Sequence, residues 1–109
     1  MKQGDIYLAN LNPIKGHEQK GTRPVFIMQN NTLNNVLPTT VIIPITSNLK
    51  AKDSLITWFL PKEESKLKKD SVMLLFQIRT IDKKRLIKKV GGLPKSTYRL
   101  VKQQLSFVI

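Results

Sequence analysis

The residues best suited to chemistry fall in one segment, NLNPIKGHEQKGTRP (residues 10–24), which gathers Lys15, His17, Glu18, Gln19, Lys20 and Arg23. An arginine presents a planar, permanently charged fork of donors that matches a phosphate. An imidazole titrates near about 6.5 and a glutamate near about 4.3, so His17 and Glu18 are both suited to moving a proton. Together these types point to an anion-binding or catalytic loop. A solvated hairpin loop is the plain alternative, because Asn12-Pro13, Gly16 and Gly21 are turn formers in either case. A connection this long in a small domain is usually functional or unstructured.

Other chemistries are excluded by composition. The chain has no cysteine, hence no disulfide framework, no thiolate nucleophile and no thiolate metal site. Its lone histidine, His17, cannot make a multi-histidine metal centre or a two-histidine acid–base pair. We therefore expect neither a metal nor a cofactor. The chain carries 19 Lys+Arg against 7 Asp+Glu, a formal charge of +12 over 109 residues. Such a body attracts polyanions: nucleic acid, an acidic protein or an anionic membrane surface. No apolar run approaches the roughly 20 residues that span a bilayer. The opening residues lack a signal-peptide pattern, so a cytoplasmic protein is expected.

The elements that must position these groups are short. With 40% hydrophobic residues and no repeat or linker, residues 1–109 read as a single domain. Residues 1–61 carry six positive and three negative side chains, residues 62–109 thirteen and four, which gives the domain a basic face. Strands are expected over residues 4–9, 24–29, 39–45, 54–60 and 71–78, with a weaker one over 86–90 closed by Gly91-Gly92. Residues 30–38 read as an Asn-rich connection. Asp82 is placed to cap a single helical turn over 83–85. In residues 94–108 the period changes: Tyr98, Val101, Leu105 and Val108 form one helical stripe. Trp58 and Phe59 are neighbours on a strand and must face opposite ways, one into the core and the other to an interface or a base. Many short strands and one closing helix imply a small, curved antiparallel sheet or barrel.

Three separated motifs resemble the MazF/PemK-type toxins. The first is Gly4-Asp5-Ile6-Tyr7, Leu11-Asn12-Pro13, Lys15-Gly16-His17-Glu18-Gln19, Gly21 and Arg23-Pro24-Val25. The second is Pro44-Ile45-Thr46-Ser47, and the third spans Lys69-Asp70-Ser71-Val72 and Gln77-Ile78-Arg79-Thr80-Ile81-Asp82-Lys83-Lys84-Arg85-Leu86. The resemblance implies an SH3-like small barrel, mainly β with a C-terminal helix. It implies a metal-independent endoribonuclease of a toxin–antitoxin pair, homodimeric, with single-stranded RNA as substrate and an acidic antitoxin as partner. Carried over position by position, it makes Arg23, Thr46 and Glu18 catalytic. It puts His17, Gln19, Asn30, Ser47 and Gln77 at the RNA-binding surface. His17 stands where relatives often carry Ser, and Phe76 where many carry Glu, which bears on the sequence cut.

RNA supplies its own nucleophile, the 2′-OH, so no Ser, Cys or metal is required. The protein must deprotonate that hydroxyl, stabilise the phosphoryl oxygens and protonate the leaving 5′ oxygen. Arg23 suits the second task and is handicapped as a base by a pKa above about 12. The base stays open between Glu18 and His17. Each residue also has a structural role to weigh: Arg23 as a surface cation, Glu18 paired to Lys15 or Lys20, Thr46 in a Thr-Ser turn. The basic runs Lys66/Lys68/Lys69, Lys83-Lys84-Arg85 and Lys88-Lys89 are in part phosphate-attracting surface. Two other functions stay open: the resemblance also admits a non-enzymatic, gyrase-poisoning toxin of the CcdB type, and the basic charge a non-catalytic RNA-binding module.

Overall fold

The apolar runs become strands because β-branched residues pack on a pleated surface. The computed structural model describes residues 1–12 and 21–109. The strands are β1 (Asp5–Asn10), β2 (Thr22–Ile27), β3 (Thr39–Thr46), β4 (Thr57–Leu60), β5 (Ser71–Leu74), β6 (Arg79–Asp82) and β7 (Leu86–Gly92). Three helices join them: α1 (Asn31–Val36), α2 (Lys62–Ser65) and α3 (Lys95–Gln104). The strands form one antiparallel sheet in the order β4-β5-β3-β2-β1-β7, with β6 also on β3.

The long central strand β3 shares one edge between two partners. Its Thr39–Ile42 stretch pairs with β6, and Ile45 and Thr46 pair with Met73 and Val72 of β5. The strand expected over 71–78 therefore ends at Leu74, and the chain returns to β3 as β6 only from Arg79. A single turn at Leu75–Gln77, anchored by the fully buried Leu75, separates β5 from β6. Among the described residues β4 and β7 do not pair, so the expected small, curved, mainly β fold with its C-terminal helix is present as a bent sheet left open along that seam. Register shifts between Ile6/Tyr7 and Leu8/Ala9 bend the β1–β7 ribbon.

Both faces of the sheet are covered, which is why Val25-Phe26-Ile27 is continuously apolar instead of alternating. Ile6, Phe26, Ile43, Ile45 and Met73 face one core, and Ala9, Leu11, Val25, Ile27 and Ile42 the other. The expected C-terminal stripe closes the first core, although α3 itself ends at Gln104 and a single turn at Leu105–Phe107 follows: Val101 and Leu105 are buried, with Tyr98 and Val108 packed beside them. Burial of each aliphatic side chain contributes roughly 1.5–3 kcal/mol. Trp58 packs on the same core, whereas Phe59 is exposed beneath the Lys52 ammonium, 5.3 Å from the ring centre.

The 30–38 segment is a helix, not a loop. The Asn30 side chain accepts from the Leu33 N–H at 2.9 Å and so caps α1. Asn34 turns inward, takes hydrogen bonds from Gln29 and Thr40 (both 2.9 Å) and gives one to the Gln29 carbonyl (2.8 Å). This buried amide network is what periodicity alone did not show. The expected strand at 54–60 is shorter because Ser54 and Ala51 hold a turn before Thr57. Strand β7 runs through Gly91 and Gly92 instead of stopping before them. The single turn at Lys83–Arg85 forms as expected, with Asp82 accepting from the Lys84 N–H at 2.8 Å.

Candidate active cleft

The ends of β2 and β3 bring the two best chemical candidates to one rim. The β2–β3 pairing ends at Val25↔Pro44, and two residues beyond that pair along each strand stand Arg23 and Thr46. Arg23 is half-buried and lines an open cleft of about 460 Å³, with Thr22, Pro24, Ile45 and Ser47. Thr46 is half-buried as well; its neighbours Ile45 and Ser47 line the cleft and Thr46 itself does not. The Thr46 hydroxyl oxygen accepts from the Asn48 N–H at 3.1 Å, which is the turn its type favours. That bond holds the hydroxyl at the strand end through one of its two lone pairs and leaves its own proton able to donate.

Six of the residues lining the cleft are cationic: Arg23, Lys66, Lys68, Lys69, Lys88 and Lys89. No Asp or Glu lines it among the described residues. The floor is apolar, made by Leu8, Ile45 and Val90. Here an anion meets little competition from carboxylates and a low-dielectric wall, conditions that strengthen its attraction. Among the described residues no three carboxylate or imidazole side chains gather as metal ligands.

The remaining sequence candidates are divided. His17, Glu18 and Gln19 lie outside the described residues. Asn30 is not at the cleft: it caps α1 and lines a separate cavity with Leu33, Val41 and Ile78. Gln77 is half-buried in the Leu75–Gln77 turn and does not line the cleft. Ser47 is at the cleft and exposed.

Sequence reasoning missed how the feet of the 13–20 segment are held. Leu11 and Gly21 are joined by a backbone hydrogen bond of 2.9 Å, and the Asn12 side chain accepts from the Gly21 N–H at 3.0 Å. Arg85 donates to the carbonyl of Asn10 (3.2 Å) and to that of Asn12. Nothing in the basic run Lys83-Lys84-Arg85 distinguished this buttress from its neighbours, because its partners lie more than 70 residues away.

A bent antiparallel sheet closed by one helix, with Arg23 in a cleft that no described carboxylate lines, defines a small basic β domain suited to a polyanion. Residues 2–109 match the model of the PemK-like, MazF-like toxins of type II toxin–antitoxin systems, and the chain belongs to that family. The endoribonuclease MazF of Staphylococcus epidermidis is 46% identical over 96 residues, covering 88% of this chain and 80% of that protein. Crystalline MazF of Deinococcus radiodurans is 26% identical, with a TM-score of 0.81 over 98% of this chain and 94% of that one. A MazE–MazF complex from the same organism matches at 26% identity and a TM-score of 0.76, over 98% and 93% of the two chains.

Proposed function

We propose that this toxin is an endoribonuclease that cuts single-stranded RNA at a short motif, without a metal. The 2′-OH attacks its neighbouring phosphodiester, leaving a 2′,3′-cyclic phosphate and a 5′-OH. Single strands suit it because unstacked bases expose the edges a protein reads. The observation that carries the reading is Arg23 near the start of β2, in a cleft lined by six cations and, among the described residues, no carboxylate.

Arg23 neutralises the phosphoryl oxygens as charge develops on them, and Thr46 donates a hydrogen bond to the same group. The 2′-OH proton passes to Glu18 or His17, and the departing 5′ oxygen takes a proton from the acid of the pair or from water. His17, Gln19, Asn30, Ser47 and Gln77 are assigned to reading the RNA. Because Asn30 and Gln77 lie off the cleft, they act on nucleotides away from the scissile bond. The 1–109 chain acts as one domain, as a homodimer in the cytoplasm, and is held silent by an acidic antitoxin. The MazE–MazF likeness and the +12 charge support that partnership.

The test is to incubate the purified protein with a long, varied RNA in EDTA and map the new 5′ ends. Cuts at one short motif, each with a 5′-OH, are expected. Arg23→Ala should slow cleavage on the order of 10²–10³-fold with an unchanged Tm, the usual loss on deleting one such donor. RNA left intact by the wild type, cleavage restored only by Mg²⁺, or full activity in Arg23→Ala overturns the reading.

A further inference from the structure

The cleft extends well past Arg23, and its far wall is made by two lysine-bearing segments held rigidly together. One is the turn after α2. Lys66 ends that helix in the left-handed conformation (φ 70°), and the fully buried Ser65 accepts from the Leu67 N–H at 3.0 Å. Leu67 packs on the core, and the Ser71 hydroxyl donates to the Lys69 carbonyl at 3.0 Å. The other segment is β7. A Cβ built on Gly91 would lie 2.3 Å from the Ser65 carbonyl oxygen, so only glycine lets the end of α2 rest directly on β7. Lys88 lies opposite Leu8 of β1, and Leu8 lies opposite Pro24 of β2. Lys88 is therefore two strand spacings, roughly 10 Å, from the Arg23-Pro24 corner.

The lysines on this wall are not equivalent. Lys89 is paired with Asp5 at 3.2 Å, and both Lys66 and Lys89 also border a neighbouring hollow that contains Asp5 and Glu64. Lys68, Lys69 and Lys88 are exposed, border the cleft alone and meet no carboxylate there among the described residues. Their backbones are fixed while their ammonium groups face the space an RNA strand leaving Arg23 would enter.

We infer that Lys68, Lys69 and Lys88 form a phosphate-tracking subsite for the strand flanking the cut. This rests on the nuclease reading for its ligand, but its test does not depend on cleavage. The subsite holds the backbone without regard to sequence: three ammonium groups each displace counterions from a phosphate, giving affinity and a salt dependence. Lysine suits this as a mobile point charge, in contrast to the fork of Arg23.

The probe is a fluorescent 12-nucleotide, mixed-sequence all-deoxy strand, which has the phosphates but no 2′-OH to react. Its Kd is measured against salt for the wild type, for Lys68→Gln/Lys69→Gln/Lys88→Gln, and for a control of equal charge loss, Lys50→Gln/Lys52→Gln/Lys102→Gln, at positions off the cleft. Each single-strand phosphate contact contributes a slope of about 0.7, so the cleft triple should flatten log Kd against log salt by about 2, and the control by much less. Equal slopes for both triples reduce the effect to net charge and overturn the subsite. An unchanged slope in the cleft triple overturns it too, including the case in which that triple instead loses affinity for an acidic poly-glutamate peptide. Cleavage of long RNA by the wild type, assayed in parallel, reports on the nuclease reading separately: a flattened slope without cleavage keeps the subsite and removes the enzyme.

Discussion

The corner around α1 and the cleft at the ends of β2 and β3 use the same residue types to opposite ends. At the corner, Lys83 is half-buried and its ammonium donates to the Asn34 carbonyl, beside an amide network in which every described polar group has a partner. At the cleft, Lys68, Lys69 and Lys88 stand exposed, and among the described residues no carboxylate lines the cleft with them. A cation whose donors are filled by the protein's own carbonyls stabilises the fold. One left facing solvent beside other cations costs stability through repulsion and is available to a polyanion. The contrast separates residues that hold the molecule from residues that hold its ligand.

The largest effect that bears on this contrast belongs to Asn34. Asn34→Leu leaves the Gln29 carbonyl and the Thr40 hydroxyl buried without their partner. Two such orphaned groups cost about 3 kcal/mol, read as a fall in Tm on the order of 10 °C. Its affinity for single strands, measured below the new Tm, should stay at the wild-type value. An unchanged Tm would show that the network is not what secures this corner.

Gly91→Ala sits between the two regimes. Its Cβ collides with the Ser65 carbonyl oxygen, a backbone atom that cannot swing away, so α2 must lift from β7. Overpacking of this kind costs about 2 kcal/mol, and here affinity for single strands should fall as well, because Lys68 and Lys69 move with the turn. Urea unfolding and strand binding on the same preparation measure both. Loss of stability with affinity intact would mean that the lysines need no fixed backbone.

Lys83→Gln gives the smallest change and the sharpest comparison. It removes a cation at the carbonyl end of α1, where the helix dipole favours one, at a cost of about 1 kcal/mol. The salt slope of strand binding should not move, although the net charge drops as it would for a cleft lysine. A flattened slope would place Lys83 with the cleft and dissolve the distinction.

Much of the scaffold could be read in advance where periodicity is strong. The stripe Tyr98, Val101, Leu105 and Val108 packs on the core as expected, the first two on α3 and the last two in and just after the single turn at Leu105–Phe107, because spacing on one helix face is a local property. The Asp82 cap formed for the same reason. Misreadings fell where contacts outside the element itself override its own preference. The Asn-rich segment at 30–38 became α1 because Asn34 finds Gln29 and Thr40. The run at 71–78 broke because β3 offers one edge to two successive partners. Strand β7 continued through its glycines because α2 needed the room.

The order of residues alone determined the apolar spacing, the surplus of positive charge and the three motifs that match the toxin family, since each is a property of neighbours along the chain. Only the tertiary structure sorted the cations into those bonded to backbone carbonyls and those left exposed at the cleft. Lys83 meets its carbonyl 49 residues away and Arg85 reaches across 75. Whether a charge is satisfied depends on what folding brings beside it, and that is a property of space, not of sequence distance.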